Sequence, residues 1–431
     1  MYRKITDFLK AWKEGSHRKP LILQGARQVG KTYSILEFGR THYENVAYFN
    51  FETNPKLNKT FEENISPDYL VPILSHIAGQ TIVKEKTLIV FDEIQLCERA
   101  LTSLKYFCED APDYHIIVAG SLLGVAVNRA KFSFPVGKVD MKTLYPMDME
   151  EFLLAIGENV LVTQIKNCFK TNMPMPSALH DKALYLYRQY LVVGGMPECV
   201  SQFIQTKDYI LIRHTQDTIL ASYLNDMSKY NTLNEIKKTR LAYDNITVQL
   251  SKKNTRFQYK LIKKGGRASE FENAIEWLCL SGIVSQVYKV EQIKKPLENY
   301  RDIDAFKIYV SDLGLLCAKK DLAANDILYM VEELNDFKGG MVENYVNVQL
   351  SINGYNTYYW ESARGAEIDF VIQRNGKLIP IEVKAADNTK AKSLRVYMNT
   401  YKPAYAIKLS TKNFALVDNQ KIVPLYAAFC I

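Results

Sequence analysis

The nine residues from Gln24 to Thr32, QGARQVGKT, constrain this 431-residue chain more than any other segment. They match the spacing G-x-x-x-x-G-K-[ST], with Gly25, Gly30, Lys31 and Thr32 at the fixed positions. An apolar run, Leu21–Leu23, leads in, and a helical pattern starting at Tyr33 leads out. That setting predicts a strand, a tight loop and a helix. Glycines let the backbone turn sharply, so that successive amides point at one anion. The following helix adds its N-terminal partial positive charge. Gly25, Ala26, Arg27, Gln28, Val29, Gly30, Lys31, Thr32 and Tyr33 therefore form the candidate cradle for a phosphate chain. Lys31 supplies a mobile cation for the β- and γ-phosphates, and the Thr32 hydroxyl a ligand for Mg²⁺.

A second segment, TLIVFDEIQ, carries four apolar residues (Leu88–Phe91) into Asp92 and Glu93. A short, fully apolar run suits a central parallel strand, and ligands bind beyond the carboxyl ends of such strands. Asp92 there is a candidate Mg²⁺ residue, and Glu93 is placed to polarise an attacking water. A third run, HIIVAGS, ends at Ser121, which is either a γ-phosphate sensor or an ordinary turn residue. The other candidate strands are Val46–Phe51 and Val136–Leu144, and helix-length segments separate most of the five. The first 150 residues are thus α/β with a mostly parallel sheet. With a strand lying between the loop and the acidic strand, the arrangement resembles the additional-strand class of P-loop ATPases, which implies sheet order 5-1-4-3-2. No NKxD guanine signal is present, so ATP is the expected nucleotide.

Composition narrows the class further. A hydrophobic fraction of 47% fills real cores, which excludes a disordered chain. Apolar runs fall short of the ~20 residues of a membrane helix. Ile5, Phe8, Leu9 and Trp12 have the spacing of a surface helix rather than a signal peptide. Seven scattered Cys without a CxxC pair point to a reducing, cytoplasmic setting, and six scattered His show no zinc cluster. The net charge of +8 permits a nucleic-acid partner without demanding one.

Residues 150–230 read as helical, with a stop at Gly194-Gly195 before Pro197. Further on, Ser269 and Glu272 are spaced as a capping box, and Ile283–Val290 and Phe306–Val310 flank a polar loop like a β-wing. Between them lies the most basic stretch, Lys252–Arg267. It carries Lys252, Lys253, Arg256, Lys260, Lys263, Lys264 and Arg267 with Phe257 and Tyr259 interleaved. It is either a phosphate-contacting surface for DNA or a solvated, salt-bridging face.

Near the C-terminus, GAEIDFVIQRNGKLIPIEVKAA places Asn375-Gly376 between two alternating runs, the signature of a two-residue hairpin. That turn pairs Arg374 with Lys377. Counting back, Asp369 falls opposite Glu382, and Glu367 opposite Lys384. Opposed Cβ atoms lie ~5 Å apart, so two carboxylates there repel unless a cation sits between them. Asp369, Glu382 and Lys384 are candidate catalytic residues. Asp369 and Glu382, with Glu343 from KGGMVENYVNVQL as a third acid, are candidate metal ligands. The competing reading is a solvated face with a Glu367–Lys384 salt bridge.

That hairpin resembles a PD-(D/E)XK nuclease-type fold. The whole chain resembles a prokaryotic family of AAA-type ATPases that carry such a nuclease-like domain at the C-terminus. The resemblance rests on GARQVGKT, LIVFDEIQ, AGSLLG, FPVGKV, GGMPE, ILASYLNDMSKY, QLSKKNTRFQYKLIK, EWLCLSGIV, YVSDLGLL, GGMVENYVNVQL, EIDFVI and IEVK. It implies a P-loop ATPase domain over 1–150, a helical segment over 151–230, a winged-helix-like module over 231–310 and a mixed α/β nuclease-like domain over 311–431. The expected cofactors are ATP and Mg²⁺. The expected partners are ATP, DNA through Lys252–Arg267, and a second copy or another protein supplying an arginine finger; Arg129, Arg99 and Arg40 lie in plausible regions for one. An acid pair reading EID rather than PD leaves two readings open. One is a nucleotide-driven machine with a metal-dependent nuclease; the other is an ATP-regulated switch or scaffold whose C-terminal domain is catalytically silent.

Overall fold

A computed structural model describes residues 1–120, 134–229, 233–251, 256–385 and 392–431. Its chain forms two compact units. One comprises Tyr2–Tyr145 with Leu280–Gly282, and the other Pro146–Cys279 and Ile283–Ile431 with Met1.

The first unit is built on five strands: β1 (Leu21–Gln24), β2 (Asn45–Asn50), β3 (Thr87–Asp92), β4 (His115–Ala119) and β5 (Asp140–Thr143). All pair in parallel, in the order β2-β3-β4-β1-β5, which is the expected 5-1-4-3-2 arrangement. Every residue of β3 and β4 is buried. These strands have helices on both faces, so an unbroken apolar run suits them better than alternation. Phe51, Phe61 and Phe91 interlock with ring centroids 5.6–5.8 Å apart, filling one face of the sheet. The last strand is shorter than the expected Val136–Leu144. Gly137 has φ +72, a left-handed turn that delays pairing until the Asp140 N–H reaches the Pro20 carbonyl.

Helices dominate the second unit up to Ser251. It then forms an eight-stranded mixed sheet from β6 (Val284–Val290), β7 (Arg301–Val310), β8 (Tyr358–Glu361), β9 (Glu367–Arg374), β10 (Lys377–Val383), β11 (Ala406–Ser410), β12 (Ala415–Val417) and β13 (Gln420–Pro424). The order is β12-β13-β11-β10-β9-β8-β6-β7. The two strands that read as a wing are therefore the far end of this sheet, because β6 pairs in parallel with β8 at Tyr288↔Tyr358. Burial explains the choice. Ala305 to Val310 are all buried, which a solvated wing cannot provide. The free edge of β7 is closed by Asn344 of the helix Asn335–Ile352. Its amide takes the Val310 N–H (2.7 Å) and gives a bond to the Val310 carbonyl (2.8 Å), imitating a neighbouring strand. The Ser269–Glu272 capping box is not formed as expected, since the helix there already begins at Ala268. Among the described residues, no helix is long and apolar enough to cross a membrane.

Candidate functional site

Two clusters of polar side chains bear the expected chemistry, one in each unit. In the first, the glycine loop leaves β1 with Gly25 at φ +147, passes Gln28 at +65 and Gly30 at +88, and enters the helix Lys31–His42. Such a run of left-handed residues turns amides inward, as an anion cradle requires. Ala26 and Val29 are buried against the unit, while Tyr33 stands exposed. Lys31 is folded under the loop, its ammonium donating to the carbonyls of Gly25 (2.9 Å) and Ala26 (2.8 Å).

Parallel pairing brings the ends of β1 and β3 to one edge. There the Thr32 hydroxyl donates to Asp92 Oδ2 at 2.9 Å. Tyr48 donates to the same oxygen at 2.8 Å, and the Glu93 N–H reaches Asp92 Oδ1 at 3.1 Å. A hydroxyl beside a carboxylate is a hard-oxygen donor pair, which suits Mg²⁺. Glu93 sits in a left-handed turn (φ +52) just past the strand. Burial, with Asp92 nearby, holds its carboxyl above the usual range, and Gln95 donates to it. A carboxyl so raised is a better proton acceptor toward water.

Three residues of this site escaped the sequence reading. Tyr48 is placed by strand adjacency, Asn50 of β2 standing beside Asp92 of β3, whereas Gln95 follows Glu93 by two residues in the turn Ile94–Leu96. Arg3 laces the loop from outside, donating to Val29 O (3.0 Å) and Tyr145 O (2.7 Å). Ser121 and Arg129 lie outside the described residues. Arg99, one of the arginines considered for a finger, instead donates to the Phe61 carbonyl at 2.7 Å.

The second cluster lies on the hairpin β9–β10. Asn375 (φ +46) and Gly376 (φ +71) form its turn, and Arg374 pairs with Lys377, as expected. The ladder runs as counted as far as Phe370↔Ile381. There it changes character, because the Val383 N–H bonds to Asp369 Oδ2 at 2.7 Å in place of a backbone partner. Glu382 is buried, and Asp369 is half-buried beside it. Burial holds both carboxyls above the usual range, and for Asp369 the nearby Glu343 and Glu382 push the same way. Glu382 Oε2 is buried and lacks a hydrogen-bond partner.

The salt bridge considered between Glu367 and Lys384 is not formed. Lys384 pairs with Glu382 on its own strand, and Glu367 pairs with Lys307 of β7 at 2.5 Å. Glu343, expected as a third metal ligand, is held by Lys307 at 3.3 Å and by the Tyr309 hydroxyl at 3.1 Å. Burial opposes the Lys307 charge, yet Glu343, Tyr309 and Glu367 together hold its ammonium well above the usual range. Among the described residues, no set of three or more His, Cys, Asp and Glu is arranged to hold a metal. The two-acid pair with its orphaned oxygen still fits one cation; the three-acid set does not. A cavity of about 220 Å³, lined by Lys307, Tyr309, Glu343, Glu367 and Asp369, opens beside the cluster.

In the basic stretch, Lys252 and Lys253 lie outside the described residues. Arg256, Lys260, Lys264 and Arg267 are exposed, while Lys263 pairs with Glu270 at 3.2 Å. The interleaved aromatics do not face outward together: Phe257 is buried, stacked on Phe306 with centroids 5.3 Å apart.

Comparison with known proteins follows this division. Residues 17–153 match the model of an AAA domain. Residues 184–326 and 338–428 match two domains of unknown function, DUF8612 and DUF4143. No curated protein matches the sequence. Among solved structures, the chain is similar to the Walker-type ATPase PABY2304 of Pyrococcus abyssi, at 14% identity and TM-score 0.44, covering 73% of this chain and 94% of that one. It is also similar to the Aeropyrum pernix ORC1 protein, solved in complex with DNA (13%, TM-score 0.28, covering 74% and 91%). A third is the Thermotoga maritima RuvB Holliday junction branch migration motor (13%, TM-score 0.27, covering 65% and 87%). The glycine loop, the strand order and the AAA-domain match together make the N-terminal region an AAA-type P-loop ATPase domain.

Proposed function

We propose that the chain is a Mg²⁺-dependent ATPase whose nucleotide state governs a C-terminal domain of nuclease-like build that engages DNA. The observation carrying the ATPase reading is the Thr32–Asp92 hydrogen bond at 2.9 Å, flanked by Lys31 and Glu93. In this reading the loop amides bind the triphosphate, and Lys31 leaves the Gly25 and Ala26 carbonyls for the β- and γ-phosphates. Thr32 and Asp92 hold Mg²⁺, which when bound neutralises phosphate charge. Glu93 takes the proton of the attacking water. Ser121, following the buried strand β4 between β1 and β3, is proposed as the γ-phosphate sensor. With Arg99 engaged at Phe61, a second copy or another protein supplies the arginine finger.

The nuclease-like reading of the C-terminal domain is supported by the hairpin register down to Phe370↔Ile381 and by the half-buried Asp369 and buried Glu382 just beyond it, with Lys384 paired to Glu382. The exposed Arg256, Lys260, Lys264 and Arg267 favour salt-dependent contact with phosphates.

The deciding experiment measures ATPase rate with and without single- and double-stranded DNA, with Lys31→Ala as the control. Stimulation by DNA that falls steeply with salt is expected, as is Asp369-dependent, Mg²⁺-dependent cleavage. A Lys31→Ala protein that hydrolyses ATP normally would sink the ATPase reading. A second reading, an ATP-regulated scaffold with a silent C-terminal domain, is favoured by the Lys307 ammonium among the acids. It gains if DNA leaves the ATPase rate unchanged and Asp369→Ala changes no cleavage.

A further inference from the structure

The acid cluster of the C-terminal sheet is split by a lysine that the nuclease-like pattern does not account for. Lys307 comes from β7, not from the hairpin, and is 8% exposed. Its ammonium lies 2.5 Å from Glu367 Oε1 and 3.3 Å from Glu343 Oε2. Tyr309, on the same face of β7 two residues on, completes that half by donating to Glu343 at 3.1 Å. The Tyr359 ring, its centroid 5.3 Å from Lys307 Nζ, covers the charge. On this side every acid has a cation or a hydroxyl.

The other half is unfinished. Asp369 spends one oxygen on the Val383 N–H, and Glu382 spends one on Lys384. Glu382 is 2% exposed, and its second oxygen has no partner. A buried carboxylate oxygen left bare beside a second carboxylate is costly, and a cation relieves both penalties. Pairing limits how many cations enter. Among the described residues, Glu343 and Glu367 are both spent on Lys307, and Glu343 on Tyr309 as well. That leaves Asp369 and the bare Glu382 oxygen as the acceptors open to a cation, which is room for one.

We infer that this site takes a single divalent cation, between Asp369 and Glu382, and that the Lys307 ammonium stands permanently where a two-metal site would hold its second ion. The inference rests on reading the hairpin acids as a metal site. Its consequence is that a phosphodiester would meet one metal ion and one fixed ammonium, not a symmetric metal clamp.

The test counts Mn²⁺ ions on the full-length, nucleotide-free chain by electron paramagnetic resonance, taking the ions lost in Asp369→Ala as those of this site. The wild type should hold one such ion. Lys307→Met, which frees Glu343 and Glu367, should raise the count to two, while Lys307→Arg should keep it at one. If Lys307→Met does not fold, Lys307→Gln takes its place. Two Asp369-dependent ions in the wild type would overturn the role of Lys307 and leave the metal reading standing. One ion in every variant would do the same. No Asp369-dependent ion in the wild type would overturn both.

Discussion

Replacing Gly25 by alanine separates a loop held open by its backbone from one that merely contains glycine. Gly25 has φ +147, and a Cβ there would sit 2.1 Å from the Leu144 carbonyl oxygen. That oxygen cannot step aside cheaply, because the Leu144 N–H is tied to the Gln24 carbonyl at 2.8 Å. The variant therefore bears an unfavourable backbone conformation, about 1–3 kcal/mol. It also loses a strand-end hydrogen bond, about 0.5–1.5 kcal/mol. The expected destabilisation is about 2–4 kcal/mol, with the loop amides displaced from the phosphate position. Gly79→Ala in the same unit is the matched control. It too has a positive φ, +65, but nothing lies within 4 Å of its Cβ, so about 1 kcal/mol is expected. Urea denaturation gives the two stabilities, and titration with a fluorescent ATP analogue gives the affinities. Gly25→Ala should unfold at lower urea than Gly79→Ala and lose at least about tenfold in nucleotide affinity, a change of 1.4 kcal/mol. Equal midpoints for the two variants, or wild-type nucleotide affinity in Gly25→Ala, would refute the reasoning.

Glu93→Gln should bind ATP like the wild type but hydrolyse it roughly 10²–10⁴-fold more slowly in a single-turnover assay; undiminished turnover would remove Glu93 as the base. Asp312 of the second unit is buried, which raises its carboxyl from 3.8 to about 6 against the N–H groups it accepts. A raised folded-state value means the native protein keeps a proton that the unfolded chain releases. Stability should therefore fall as pH climbs from about 4 to about 6, by about 3 kcal/mol. Asp312→Asn should lack that slope, and parallel pH profiles for the two proteins would contradict it. Asn344→Leu strips both partners from the buried Val310 backbone and should cost about 2–4 kcal/mol by urea denaturation; a loss below about 1 kcal/mol would mean that another group closes that edge.

What could be read in the sequence was local. The glycine loop, the apolar run into Asp92 and the Asn375-Gly376 turn each state their geometry within a dozen residues, and the hairpin register followed by counting. What could not be read depends on strands that meet from far apart. Lys307 looks like one polar residue in AFKIYV, and only the parallel pairing of β6 with β8 carries β7 into the sheet that holds the acids. Tyr48 reaches Asp92 for the same reason, through β2 lying beside β3. The Glu367–Lys384 pairing failed because the ladder ends at Phe370↔Ile381, three positions short of it. Once Val383 turned its N–H to Asp369, Lys384 was nearer to Glu382 on its own strand than to the strand opposite. The aromatics of the basic stretch misled because charge says nothing about which face a neighbouring ring chooses, and Phe257 chose Phe306.

The segments GGMPE and SDLGLL show why a distinctive motif need not carry chemistry. They are the two sides of one joint. Asp312 accepts the Gly195 N–H at 2.6 Å across 117 residues and caps its own helix through the Leu315 N–H at 2.9 Å. A Cβ on Gly195 would stand 2.0 Å from the Met147 carbonyl oxygen, and one on Gly314 2.5 Å from the Val193 carbonyl oxygen. Backbone meets backbone there, so the glycines are required by contact distance and the acid by the amides left without partners. Nothing in that joint is available to a ligand, because both Asp312 oxygens are spent on main-chain amides. A buried carboxylate with its acceptors filled is architecture; Glu382, equally buried with one oxygen bare, is not. That difference in unmet hydrogen bonding, rather than burial or a raised pKa, is what separates the acid that holds the fold from the acid we propose takes a cation.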